Sequence, residues 1–331
     1  MQTFKALLID EVDGKVSSAF ATLDETRLDP GAVTIRVAYS SVNYKDALAA
    51  TGAGKIIRRF PCIGGIDLSG TVIESADPRF MAGDPVIATS FDIGVAHHGG
   101  YSEIARVPGD WVVPLPAGLS LFDAMALGTA GFTAALAVVR MEENRLAPDN
   151  GPVIVTGATG GVGSLAVDIL AERGYHVVAL TGKESEADYL RGLGAAEVML
   201  RGSLDLAKIR PLDKARWAGA VDNLGGDVLA WIASTMAQGG TIASIGLAAS
   251  MSLNTTVAPF ILRGVSLLGI DSGYIREPYR SGVWQRLASD MRPPHLSRMS
   301  RSIGFSELPA TFSEYIAGRA KGRVVVEIGG E

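Results

Sequence analysis

The stretch Val153–Leu170, VIVTGATGGVGSLAVDIL, constrains the fold more than any other in this 331-residue chain. A branched run ends in four glycines spread over seven positions, and small and aliphatic residues follow. Branched residues favour an extended strand, and the aliphatic spacing after the glycines suits a helix. Between them the chain must turn sharply, and glycine permits the close backbone approaches that such a turn needs.

A strand, a turn and a helix make up the first part of a βαβ unit, and such units build parallel sheets. The pattern then repeats. Strands are expected at 153–156, 176–180, 196–199, 218–222, 241–245 and 265–270, and helices at 161–173, 185–193, 226–237 and 257–262. This alternation predicts a doubly wound α/β domain of the Rossmann type, with helices on both faces of its sheet. The part before Ser120 has another character. VTIRVAYSSV (Val33–Val42), GTVIES and DPVIATS read as short strands punctuated by prolines. SLFDAMALGTAGFTAALAVVR reads as a helix, with Ser120 as N-cap and Asp123 three residues on. Further helices near 277–290 and 306–317 and a last strand, GRVVVEI, complete the pattern. Because this length exceeds one ordinary core, two domains are expected: 1–124 with 276–331, and 125–275.

Ala158, Gly160 and Gly163 fit the dinucleotide fingerprint with alanine in the first place, and Thr159, Gly161 and Val162 complete the loop. Small residues let the backbone meet a pyrophosphate, and the first amides of the next helix face its charge. The alternative is a tight turn without a ligand. NAD-binding sheets usually end their second strand in an acidic residue for the ribose 2′-hydroxyl. Here that end reads VVALTGKESE, so Thr181, Gly182 and Lys183 occupy it, and Arg201 follows the third strand. A hydroxyl and cations suit a 2′-phosphate, so NADPH is expected rather than NADH. Lys183 as a plain solvated charge is the competing reading.

The net charge of −5, without a long basic run, argues against a nucleic-acid surface. Cys62 is the single cysteine, so no disulfide forms within the chain and no cysteine-rich zinc lobe is possible, which fits a reducing cytoplasm. Cys62 should pack as a small apolar residue. The opening MQTFKALLIDEVDG is unlike a signal peptide. No stretch reads as both long and continuously apolar enough to span a bilayer, so no membrane partner is expected.

FPCIGGIDLSGTV resembles the early signature of the medium-chain dehydrogenase/reductase superfamily at Gly65, Asp67 and Gly70; HHGGYSEIARV and GTAGFTA resemble its next strand entry and its inter-domain helix. SSVNYKDALAATGAGKIIRRFPCIGGID and PFILRGVSLLGIDS resemble the acrylyl-CoA reductase subgroup of its zinc-independent, quinone-oxidoreductase-like branch. The resemblance covers essentially the whole chain. It implies a Rossmann-type domain inserted in a partly β-barrel, GroES-like substrate domain. It also implies NADPH-dependent reduction of acrylyl-CoA or a close 2-enoyl thioester, and a homodimer in which GVSLLGI pairs with its twin. The positions that match the catalytic zinc ligands of alcohol dehydrogenases are Asn43, Ile66 and Ala126, and isoleucine cannot bind metal. No metal is therefore expected, and the substrate must already be an electrophile. A reduced nicotinamide would give hydride to its β-carbon, while the protein polarises the carbonyl and protonates the α-carbon.

The resemblance points to Tyr44, in VNYKD, as the residue beside the nicotinamide. Its phenol would position a ligand or pass a proton, unless it is a structural hydroxyl. Asn43 and Asp46 would orient it, although Asp46 equally suits a helix cap. Thr129 and Thr133 on the inter-domain helix, Leu247, Ile261 and Ser272 near strand ends, and Arg323 in KGRVVV are further cofactor candidates by resemblance. Lys55, Arg58 and Arg59 would suit the phosphates of coenzyme A or form a solvated charge run. His97 and His98 are expected on a surface turn. Two rival readings remain: a quinone or enone reductase, and a non-catalytic NADPH-binding protein of the crystallin kind.

Overall fold

A computed structural model describes residues 3–329. The chain forms two compact units, Met1–Thr129 with Gly273–Ala288 and Leu296–Glu331, and Ala130–Ser272 with Ser289–His295.

Strands β1 (Thr3–Val12), β2 (Lys15–Asp24) and β3 (Val33–Val42) open the first unit, and helix α1 (Tyr44–Thr51) follows. Then come β4 (Cys62–Ile63), β5 (Asp67–Ser75), β6 (Pro85–Thr89), β7 (Ile104–Val107) and β8 (Val112–Pro114). β1 pairs with β2 and β4 in a small antiparallel sheet. Val33, Ile35 and Val37 alternate along β3 and are fully buried, with Leu68, Val86 and Val107 in the same core. Burying such branched side chains stabilises the fold by about 1.5–3 kcal/mol each.

Helix α2 (Leu121–Glu143) starts as the sequence predicts: the Asp123 amide donates to Ser120 Oγ at 3.0 Å, and the Ser120 amide donates to Asp123 Oδ2 at 3.3 Å. It is not continuous. Gly128 has φ 52° and ψ −156°, a conformation essentially closed to other residues, and it breaks the helix. By length and composition this 23-residue helix is apolar enough to cross a bilayer, contrary to expectation, yet it is mostly buried inside the protein. Its hydrophobicity is that of a core helix.

The second unit runs β9 (Val153–Thr156), α3 (Gly161–Glu172), β10 (Val177–Thr181), α4 (Ala187–Gly192), β11 (Glu197–Leu200), β12 (Trp217–Asp222), α5 (Gly226–Thr235), β13 (Met236–Ser244), α6 (Ala258–Arg263) and β14 (Ser266–Gly269). All six strands are parallel, in the order β11-β10-β9-β12-β13-β14. The chain leaves β9 toward one edge and returns at β12 on its other side. That reversal opens a crevice at the carboxyl ends, where the glycine turn sits. β13 begins earlier than expected because Met236, fully buried, pairs with Trp217. Residues 289–295 group with this unit: Asp168 accepts from the His295 amide at 3.0 Å, and His295 Nδ1 lies 2.8 Å from its other oxygen.

The return segment adds α7 (Tyr279–Leu287), α8 (Leu296–Met299), β15 (Ser300–Gly304), α9 (Leu308–Ile316) and β16 (Arg323–Glu327). β16 pairs parallel with β15 and antiparallel with β3, completing the order β15-β16-β3-β5-β6-β8, with β7 also on β3.

Candidate active site

In the first unit, the end of β3 runs straight into α1. Asn43 has extended backbone angles and caps the helix. Its amide donates to Asp46 Oδ2 at 2.9 Å. Its side-chain Nδ2 donates to Asp67 Oδ2 at 2.8 Å, and its Oδ1 accepts from Arg323 Nη1 at 3.2 Å. Both polar ends of Asn43 are therefore committed to protein. Asp46 is 2% exposed and accepts from the Ile66 amide at 3.0 Å. Burial, and then the charge of Asp67, push its carboxyl up to about 7. Asp46 is thus an interior cap that fixes the first turn of α1, and it does not face solvent as a catalytic acid would. Tyr44, the first residue of that turn, is 50% exposed, and its hydroxyl bonds to no described residue.

Asp67 is the hub of this cluster. Its carboxylate also accepts from Ser41 Oγ at 2.6 Å, the Thr129 amide at 3.0 Å and Thr129 Oγ1 at 2.5 Å. Thr129 Oγ1 lies 2.9 Å from Ser90 Oγ. Arg323, 1% exposed, donates to the Ala126 carbonyl at 2.8 Å and to Ser41 Oγ at 3.0 Å. That burial corrects the expectation of Arg323 as a cofactor contact: it clamps α2 to β3. A Cβ on Gly128 would stand 2.6 Å from Asp67 Oδ2 and 2.8 Å from Arg323 Nη2, so the helix break makes room for the cluster. Asp67 as a hub was missed in the sequence; its place between Gly65 and Gly70 was the available signal.

The basic run is partly paired and remains exposed. Arg58 is paired with Asp92, and Arg59 with Asp29. Of the three, only Lys55 has no such partner among the described residues. His97 and His98 are largely buried around Asp29 rather than on a surface turn. Burial lowers the His98 imidazole and pushes the Cys62 thiol up to about 12, so Cys62 is an inert core residue.

In the second unit, β9 ends at the glycine turn. Ala158 and Thr159 are buried, Gly160 is exposed, and Gly161, Val162 and Gly163 form the first turn of α3, whose amides have no partner within the helix. A Cβ on Gly163 would lie 2.3 Å from the Gly157 carbonyl oxygen, so only glycine fits there. On the neighbouring strand end, Asn223 Nδ2 donates to the Thr156 carbonyl at 2.7 Å and steadies the turn. Thr181 is buried, and its hydroxyl accepts from the Lys183 amide at 3.0 Å; it shapes the strand end rather than facing solvent. A Cβ on Gly182 would stand 3.6 Å from Arg201 Nη2, so Arg201 lies over Gly182. Its guanidinium is exposed and pairs with no described residue. These features fit a phosphorylated dinucleotide: open amides for a pyrophosphate, and a cation without a carboxylate where a 2′-phosphate would rest. Thr133 Oγ1 donates to Ser272 Oγ at 2.7 Å, while Leu247 and Ile261 are exposed at 61% and 72%.

Residues 29–117 match the family described as alcohol dehydrogenase GroES-like domain, and 161–289 match the zinc-binding dehydrogenase family. A putative quinone oxidoreductase of Bacillus subtilis is 49% identical over 98% of this chain and 99% of its own. An acrylyl-CoA reductase of Ruegeria pomeroyi is 47% identical over the same shares. The chain belongs to the medium-chain dehydrogenase/reductase superfamily. Among solved members, an Escherichia coli K-12 protein with bound NADPH has a TM-score of 0.95 at 48% identity, covering 98% of this chain and all of its own. A Bacillus subtilis member with NAD bound has 0.96 at 48%, covering 99% of this chain and all of its own. The fold is thus that of the superfamily, a Rossmann-type sheet with a GroES-like part. At the positions of the dehydrogenase zinc ligands, Ile66 and Ala126 carry no donor side chain, and Asn43 spends its polar atoms on Asp67 and Arg323. Among the described residues, no three His, Cys, Asp or Glu side chains gather closely enough to hold a metal ion.

Proposed function

We propose that the protein reduces the carbon–carbon double bond of acrylyl-CoA, or a close short-chain 2-enoyl-CoA, to the saturated thioester with NADPH. The observation that carries this reading is the near-full-length likeness to an acrylyl-CoA reductase. Arg201 over Gly182, with no carboxylate at that strand end, supports the phosphorylated cofactor.

When bound, the reduced nicotinamide supplies hydride to the alkene. The chain does the rest. The amides of Gly161–Gly163 would hold the pyrophosphate, and Arg201 and Lys183 would hold the 2′-phosphate. In the second unit, Leu247, Ile261, Ser272 and Thr133 would line the dinucleotide. Tyr44 donates its phenol to the thioester carbonyl or delivers the α-proton. The phenols of Tyr101, Tyr175, Tyr189, Tyr274 and Tyr315 are each spent on a protein acceptor, whereas that of Tyr44 is open to a ligand. Asn43 and Asp46 are positioning residues that fix the helix turn carrying Tyr44.

Substrate and cofactor are both charged and impermeant to membranes, so this reading places the enzyme in the cytoplasm. We also propose a homodimer: β14 is the edge of the six-stranded sheet, and Leu267 on it and Val257 and Leu262 before it are exposed. The name of the Bacillus subtilis relative favours a second reading, reduction of quinones or enones. Comparing kcat/KM for acrylyl-CoA and a small quinone, each with NADPH, decides between them. A value for the quinone equal to or above that for the thioester overturns the acrylyl-CoA assignment.

A further inference from the structure

The first unit contains a pocket of about 280 Å³ lined by Arg79, Phe91, Trp111, Asp110, Arg276 and Glu277. We propose that this pocket binds the adenosine 3′,5′-bisphosphate end of the coenzyme A thioester, a proposal that rests on the functional reading above.

The chemistry of the wall is that of a nucleotide site. Trp111 is stacked on Phe91, with ring centroids 5.4 Å apart and planes 6° from parallel. Phe91 is buried and carries Arg280 over its ring, so it backs and fixes Trp111, which is the ring a purine would meet. Asp110 and Glu277 are acceptors for the exocyclic amine of adenine. The two arginines differ. Arg79 is spent on Asp77 at 2.6 Å and Asp110 at 2.7 Å. Arg276 is exposed, and its guanidinium pairs with no described residue, so it is the cation available to a phosphate on the ribose. The volume lies just below the roughly 300–1,000 Å³ of pockets that enclose a drug-sized ligand, so it suits one base with its sugar. On the functional reading above, the 2′-phosphate of NADPH belongs at Gly182 and Arg201 in the second unit, which leaves this pocket to the substrate.

A strained turn ties the pocket to the Tyr44 region. Ser90 and Phe91, both non-glycine, have φ of 66° and 49°. Two consecutive left-handed residues persist only where their surroundings force them, and a bulky aromatic there is a true outlier. The Ser90 amide donates to the Ile66 carbonyl at 2.8 Å, and Ser90 Oγ meets Thr129 in the Asp67 cluster. The Phe91 amide donates to the Gly273 carbonyl at 3.0 Å, and Arg280, fully buried, lies 4.6 Å over its ring. The same dipeptide therefore touches the Asp67 cluster that braces the Tyr44 turn on one side and builds the aromatic wall on the other.

The test compares acrylyl-CoA with acrylyl-pantetheine, which lacks the nucleotide, in the wild type and in Arg276→Gln. The exposed, unpaired Arg276 is replaceable without harm to folding. Losing one charge-assisted hydrogen bond should raise KM for acrylyl-CoA about tenfold with kcat unchanged, and leave both constants for acrylyl-pantetheine unchanged. Adenosine 3′,5′-bisphosphate should inhibit competitively against acrylyl-CoA in the wild type, and about tenfold more weakly in the variant. Equal effects of the substitution on both thioesters, no effect on either, or bisphosphate that competes with NADPH instead, overturns the pocket assignment alone. Reduction of neither thioester by the wild type overturns the functional reading on which it rests.

Discussion

Arg201→Ala offers a clean measurement of the cofactor's 2′-phosphate. In most proteins, truncating an arginine mixes a ligand effect with lost packing or an orphaned partner. Here the guanidinium is exposed, pairs with no described residue and lies over Gly182, which has no side chain to be disturbed. Folding stability should therefore stay within about 0.5 kcal/mol of the wild type. The whole loss falls on the phosphate. One hydrogen bond to a charged group contributes about 1.5–3 kcal/mol, which corresponds to a rise of roughly 10- to 150-fold in the Kd of NADPH. NADH carries no such group, so its Kd should change by less than about twofold. Nucleotide fluorescence titrations read both constants. Repeating them at raised ionic strength should shrink the gap, because an exposed charge pair is screened. Equal weakening of NADPH and NADH, or no weakening of NADPH, refutes the placement of the 2′-phosphate against Arg201.

Three further outcomes follow from the same geometry. Gly182→Asp has room for its Cβ at 3.6 Å from Arg201, so its carboxylate should pair with that guanidinium and repel a phosphate; the ratio of kcat/KM for NADPH to that for NADH should fall at least about tenfold, and an unchanged ratio defeats the idea. Gly163→Ala forces a Cβ to within 2.3 Å of the Gly157 carbonyl oxygen, so the turn must open; thermal melts should show a loss of about 1–3 kcal/mol with weaker binding of both nucleotides, and a wild-type melt contradicts it. Asp46, raised from 3.8 to about 7, keeps its proton in the folded state where the unfolded chain has released it. Stability should fall as pH rises from about 4 to about 7 and level off above, by at most about 4 kcal/mol from this group. Asp46→Asn should flatten that slope in denaturant titrations, and an undiminished slope in the variant excludes Asp46 as its source.

What the sequence revealed and what it hid divide along contact distance. The parallel sheet was legible because β9, β10 and β12 are short, wholly buried apolar runs followed by turns whose residues announce themselves. The Ser120–Asp123 cap and the glycine turn were legible for the same reason: their partners lie within a few residues. β15 was not, because SRSIG buries only Ile303 and gains its strand form from pairing with β16. The charged residues were misjudged wherever the partner is remote. Arg58 and Arg59 read as a basic run until Asp92 and Asp29, roughly thirty residues away in opposite directions, take them up. Arg323 read as a ligand contact, and the stretch that holds Gly128 as one unbroken helix. The two depend on each other, since the break at Gly128 leaves the space that Arg323 Nη2 and Asp67 occupy. A charge is costly to bury alone, so its partner decides whether it is structure or site. By that criterion Tyr44, Arg201 and Arg276 are, with Lys55, among the side chains that remain available to a ligand. Each is exposed and bonded to no described residue, whereas Asn43, Asp46, Asp67 and Arg323 satisfy one another and serve to hold Tyr44 where it stands.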